Sequence, residues 1–182
     1  MNKYLRALVV IPTGLIKTFF LKMAHPKMFK GMQPAQISPF TEITMDRGEL
    51  TIGKGFKMRD GAKIRVREGA TCKIGRNVSI NSYNMIACRE SIIIGNGVEF
   101  SPNVQIYDHD HDFRVKGGIH ADKYRTAPII IGNNVWIGAN SIILRGTSIG
   151  DNAVIASGSV VSGSIPSNSI FIQKRISEIR EF

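Results

Sequence analysis

Two histidines stand among three aspartates in the stretch IYDHDHDF, residues 106–113. Imidazole changes charge near neutral pH, so His109 or His111 is suited to take a proton from a weakly nucleophilic hydroxyl as it attacks. Asp108, Asp110 or a backbone carbonyl can hold the ring in the tautomer that keeps one nitrogen basic. Two other readings compete with this one. The histidines can be solvated loop residues, or His109, His111 and His120 can supply three metal ligands. The tight Asp-His-Asp-His spacing and the following FRVKGGIHADKYRTAP, which reads as a flexible arm, argue against the metal.

The flanks of this stretch must position it, and they are regular. Ile131, Ile137, Ile143, Ile149, Ile155 and Val161 recur every six residues. Four positions after them stand Val135, Ser141, Thr147, Ala153, Ser159 and Ile165, the first five small or β-branched. Gly132, Gly138, Gly150 and Ala156 directly follow four of the aliphatic residues. The same phase runs through Ile52, Met58 and Ile64, through Ile74, Ile80 and Ile86, and through Ile94, Phe100 and Ile106. A period of six is neither helix nor ordinary strand. It fits one short strand plus one turn, three of which close a triangular coil of about 18 residues, a parallel β-helix. The aliphatic residues then stack inside the prism, and the small residues fill its corners. A β-sandwich would repeat every 8–12 residues with apolar–polar alternation, and neither feature is present.

The runs IGNNVWIGANSIILRGTSIGDNAVIASGSVV and IGNGVEFSPNVQIYDHDH, the second followed by an irregular insertion, carry a resemblance. They are similar to hexapeptide-repeat acyltransferases of the maltose and galactoside O-acetyltransferase branch. Within it the chain most resembles the bacterial enzymes that acetylate capsule, O-antigen and exopolysaccharide. The resemblance runs over residues 74–165, weakens over 50–73 and is absent before about residue 35. It implies an all-β, left-handed parallel β-helix, a homotrimer, and acetyl-CoA bound between neighbouring prisms. The implied activity is direct transfer of an acetyl group to a saccharide hydroxyl, with His109 as first choice of base and His111 as second. Backbone N–H groups of an adjacent coil would stabilise the oxyanion. For the pantetheine arm the resemblance points to Ala139, Ser157 and Ser162, and for the adenosine phosphates to Lys174, Arg175 and Arg180. Asn81, Tyr83, Asn84 and Asp108 are the candidate acceptor contacts. Trp136 is expected at the trimer interface or in the cofactor groove. No metal is called for. The chain departs from the pattern at FIQKRISEIREF, where relatives often carry a Gly-x-Pro-Ala-Lys-like turn, and at NSYNMIACRES, where the galactoside branch carries acids. An acetyltransferase for a small soluble acceptor (an amino sugar, serine or an antibiotic) and a non-catalytic β-helical scaffold are the alternatives.

Composition bounds the rest. The 182 residues hold 24 Lys+Arg against 14 Asp+Glu, a net charge of +10 that favours anionic partners. No nucleic-acid module, Gly-Lys-Ser/Thr phosphate loop or dinucleotide fingerprint is present. Cys72 and Cys88 make no disulfide framework, which favours a reducing, cytoplasmic setting. Neither falls in the histidine loop, so an acyl-cysteine route is not expected. Residues 1–40 form a basic apolar appendage, 41–170 the β-helix with an extended loop at 107–128, and 171–182 a tail expected to be helical. The first thirty residues carry six Lys/Arg and no acid, and Pro12, Gly14 and Lys17 break their apolar runs. They read as a segment lying on an anionic membrane face, at the inner side of the membrane, or as a helix packed on the body or a neighbouring subunit.

Overall fold

A computed structural model describes residues 3–31, 34–174, 178 and 180, with side chains from Ala7 onward. Three parallel sheets wind into a left-handed β-helix of about six turns. The first face has seven strands, from Phe29–Lys30 through Ile129–Ile131 to Ser164–Ile165. The second, also of seven, runs from Gln36–Ile37 to Ile170–Phe171. The third has six, from Glu42–Met45 to Val160–Val161. Strands at 29–30 and 36–37 pair with those at 49–52 and 57–58, so the sheets begin ahead of residue 41.

The six-residue period becomes a stack of like side chains. On the first face Ile52, Ile74, Ile94, Ile131, Ile149 and Ile165 lie in register. Met58, Ile80, Phe100, Ile137 and Ile155 do so on the second. Ile64, Ile86, Ile106, Ile143 and Val161 do so on the third. All are buried, as are the corner residues Val135, Ser141, Thr147, Ala153 and Ser159. The buried hydroxyls are satisfied locally: Thr147 Oγ1 donates to Leu144 O at 2.6 Å and Ser159 Oγ to Ala156 O at 2.6 Å. Burying a side chain of Ile size contributes roughly 1.5–3 kcal/mol, so the stack dominates stability.

The turns need left-handed backbone, and Asn supplies much of it. Asn103, Asn134, Asn140, Asn152 and Asn168 have φ of 57, 54, 58, 57 and 55°. Asn tolerates this region because its short polar side chain bonds locally. Here those amides also bond from coil to coil, Asn134 to Asn152 at 3.3 Å and Asn152 to Asn168 at 2.9 Å.

The N-terminal helix, Lys3–Ala24, continues through Pro12 and packs on the first coil. Pro12 interrupts the apolar run of the sequence without ending the helix. Val10, Gly14 and Thr18 form its buried stripe. At Gly14 a Cβ would stand 2.0 Å from the Ala35 carbonyl oxygen, so only glycine permits this approach. Lys17 Nζ then reaches across to Ser38 O, Pro39 O and Thr41 O at 3.3, 3.1 and 2.6 Å, and burial lowers its pKa. Half of the expected C-terminal helix, 171–182, falls outside the described residues; Phe171 ends a strand, and 172–174 are not helical.

Candidate active site

The β-helix breaks after Gln105–Tyr107 on the third face. There the chain leaves as a hairpin, His109–His111 antiparallel to Tyr124–Thr126, joined through a short helix at Gly118–Ala121. Ala127 N donates to Asp108 O at 3.0 Å and closes the hairpin's base, and the next coil starts at Ile129. Arg145 Nε ties the hairpin to the regular coils through Asp110 Oδ2 at 2.5 Å.

Asp108 is fully buried at this base. Its carboxylate accepts from the backbone amides of Arg89 at 2.8 and 3.0 Å, Glu90 at 2.8 Å and Ser91 at 3.0 Å. Its Oδ1 also faces His109 Nδ1 at 2.9 Å. Burial alone would push this carboxyl up, but the bonds from His109, Glu90 and Arg89 outweigh it and hold the pKa below its ordinary value. An anionic Asp108 favours the proton on Nδ1 and leaves Nε2 with a lone pair free to accept one. The imidazole, 16% exposed, sits edge-on to Tyr107 and Tyr124, with ring centroids 6.2 and 5.5 Å away.

His109 opens on a pocket of about 270 Å³ lined by Arg65, Arg67, Met85, Ala87, Arg89, Tyr107, His111 and Tyr124. His111 is exposed and leans on Tyr124, centroids 4.5 Å apart. The Tyr124 hydroxyl donates to Asp122 at 2.7 Å, and that bond, with burial, raises its pKa. Such a site can orient a hydroxyl between aromatic walls and remove its proton. The described residues contain no group of three or more His, Cys, Asp or Glu placed to hold a metal, and His120 lies exposed in the short helix. Cys72 and Cys88 are buried inside the prism, and their mutual contact, with burial, pushes the Cys88 thiol up, away from nucleophilic form.

Residues 128–162 match the pattern described as the hexapeptide repeat of succinyl-transferase. The putative lipopolysaccharide biosynthesis O-acetyl transferase WbbJ of Escherichia coli K12 is 32% identical over 131 residues, 68% of this chain and 67% of that protein. The chain belongs to the hexapeptide-repeat acyltransferase family. The galactoside O-acetyltransferase of E. coli K12 is 38% identical over 106 residues; the match covers 56% of this chain and 50% of that protein, half of its length. Among solved structures, a point mutant of AntD, an N-acyltransferase from Bacillus cereus in complex with dTDP and coenzyme A, superposes with a TM-score of 0.72. The superposition covers 89% of this chain and 87% of that one at 22% identity, a likeness of fold.

In this hexapeptide-repeat acyltransferase the candidate residues fall at separate places. His109, His111 and Asp108 come together, but Asp108 is shut off from any acceptor and has the geometry of an orienting group. Asn81, Tyr83 and Asn84 lie at the corner between the second and third faces, across the third face from His109. Tyr83 is 68% exposed there. Asn84 is buried and bonds Val104 N at 2.5 Å, so it braces the corner rather than facing an acceptor. Ala139 and Ser157 occupy the same corner in later coils, where Gly158 N donates to Ala139 O at 2.7 Å. Ser162 follows the last strand of the third face and is exposed on the His109 side. Lys174 is exposed, Arg180 pairs with Glu178 at 2.9 Å, and Arg175 lies outside the described residues. Trp136, 54% exposed on the second face, donates to Ser101 Oγ at 3.1 Å. Sequence reasoning missed Arg65, Arg67, Arg89, Tyr107 and Tyr124. Their signal was available: Arg67 and Arg89 each follow an inward residue, Val66 and Cys88, at matching points of consecutive coils.

Proposed function

We propose that this chain transfers an acetyl group from acetyl-CoA directly to a hydroxyl of a saccharide, a surface polysaccharide or its precursor. The His109–Asp108 pair carries this reading. The hydroxyl oxygen attacks the acetyl carbonyl while Nε2 of His109 takes its proton. The tetrahedral intermediate collapses, the C–S bond breaks, and the proton passes to the departing thiolate. Buried Asp108 stabilises the imidazolium formed between these steps. The relatives named as O-acetyltransferases of lipopolysaccharide biosynthesis and of galactosides support both donor and acceptor class. The test is release of CoA from acetyl-CoA against a panel of glycans, with His109→Ala and His111→Ala beside the unaltered chain. Loss of turnover in His109→Ala alone is expected; full rate in both variants refutes the mechanism.

The homotrimer belongs to the same proposal. The corner carrying Ala139 and Ser157 lies at the opposite edge of the third face from His109. A donor held along that corner meets the imidazole of an adjacent copy more readily than its own. We place the enzyme at the cytoplasmic face of the membrane. Support comes from Leu8, Ile16, Phe20 and Met23, exposed by 72, 56, 65 and 67%, on a helix whose residues 7–24 are 17% buried and apolar enough to cross a bilayer. Replacing the exposed Leu8, Ile16, Phe20 and Met23 by serine, which leaves the strand at Phe29–Lys30 in place, should move the protein from the membrane fraction to the soluble one.

A further inference from the structure

Resting on the acetyl-transfer reading, we propose that the saccharide acceptor carries a phosphoryl group, held in the His109 pocket by Arg65, Arg67 and Arg89.

The pocket is lined by three guanidinium groups and no carboxylate. A neutral sugar needs no such wall, and the charge must be faced by an anion or by water. Two of the three are braced from outside the lining. Arg65 Nε bonds Glu42 at 2.8 Å, and Arg67 Nη1 bonds Asp46 at 2.6 Å. Each contact fixes one nitrogen and leaves further N–H donors of a planar fork, the geometry that matches phosphate oxygens. Arg89 differs. No carboxylate pairs with it among the described residues. Its guanidinium lies over the Tyr124 ring, 3.4 Å from the centroid, and its buried Nε has no hydrogen-bond partner. It is a positioned cation without an anion.

Topology brings the three together. Arg67 and Arg89 leave the third face at the same corner in consecutive coils, joined by Arg67 N donating to Cys88 O at 2.9 Å. Arg65 points outward two residues before Arg67, opposite Ala87, which in turn sits opposite Tyr107. The methyl of Ala87 between two long side chains forms the floor of the hollow. A phosphoryl group lying there places the sugar it esterifies within reach of His109, on the same wall. The phosphoryl can come from a glycosyl phosphate, a nucleotide-linked sugar or a sugar diphosphate on a lipid; the chemistry recognised is the same.

Calorimetric titration of the full chain with galactose 1-phosphate and with free galactose at low ionic strength tests this. The phosphate ester should bind at least 10-fold tighter, with the difference shrinking as salt rises. Arg89→Met and Arg65→Met should each erase most of it, while Lys73→Met, exposed on the first face, keeps it. Arg89→Lys, which keeps the charge and loses the fork, should lie between, and melting temperatures check that the variants are folded. Equal affinity for ester and sugar, retained preference in both methionine variants, or a loss of affinity for CoA in place of the ester overturns the proposal. Kinetics with a uridine diphosphate hexose and with a glycosyl diphosphate of a long-chain alcohol in micelles then identify the source. Tight ester binding without acetyl transfer to any acceptor refutes the acetyl-transfer reading and leaves the anion subsite standing. Transfer to free and phosphorylated sugars with equal kcat/KM refutes the subsite and leaves the reading.

Discussion

The coils after residue 129 and those before it follow different rules. In the later coils Ile143 and Ile149, facing inward on the third and first faces, are six apart, and their strands are two residues long. In the earlier coils the corresponding pairs are Ile64 and Ile74, then Ile86 and Ile94, and the strands are four residues long. The additional length falls at the corner between those two faces, where Val66, Cys72, Cys88 and Ile92 add a second inward layer. Arg67 and Arg89 stand at this widened corner, and the hairpin leaves the same corner one coil later. Every residue lining the His109 pocket precedes residue 129. The strict repeat builds a scaffold, and chemistry collects where the repeat is relaxed, because only there does the chain have residues not committed to the next turn.

That contrast is broken or sharpened by substitution on each side of it. The largest effect is expected at His109: alanine there should lower kcat by about 10²–10⁴-fold with little change in melting temperature, whereas His111→Ala lowers it far less. Parallel turnover and thermal-melt measurements check this. Ile143→Ala should do the reverse, destabilising the fold by about 2–5 kcal/mol in denaturant titration, because its neighbours cannot collapse into the cavity. Asp108→Asn belongs to both sides. It should cut turnover by roughly 10²-fold through loss of the favoured tautomer, and destabilise by about 1–3 kcal/mol through amides left poorly matched. It should also change acid behaviour. The Asp108 carboxyl is held below its ordinary 3.8 in the folded chain. Its stabilisation is therefore complete above that value and disappears as pH falls through the folded pKa, so the acid-side slope of stability should flatten in Asp108→Asn. The smallest effect is expected for Ile130→Thr, half-exposed on the outer side of the regular coils, within about 0.5 kcal/mol in the same titration.

Periodicity alone showed which side chains face inward, because a six-residue unit in a three-sided prism returns every aliphatic residue to the same environment. Ile131, Ile137, Ile143, Ile149, Ile155 and Val161 are buried as that argument requires. The same logic made the break at residues 107–128 visible, and with it His109. What periodicity could not express is any relation between coils of unequal length. Arg65, Arg89 and Tyr124 converge only because the wide corner of two coils and the return strand of a hairpin meet, and no spacing in the chain encodes that meeting. The partner of the imidazole was likewise open among Asp108, Asp110 and a backbone carbonyl until tertiary structure set Asp108 against His109 and buried it against three backbone amides. The docking of the N-terminal helix was hidden too, since Pro12 and Gly14 register in the sequence only as interruptions of an apolar run. Glycine there serves close contact with Ala35 instead, a constraint that exists only once the helix is docked. Sequence by itself determined the prism and the place where it is interrupted, because both are local and repeating. Tertiary structure alone decided the composition of the pocket, because its walls come from separate coils brought together by folding.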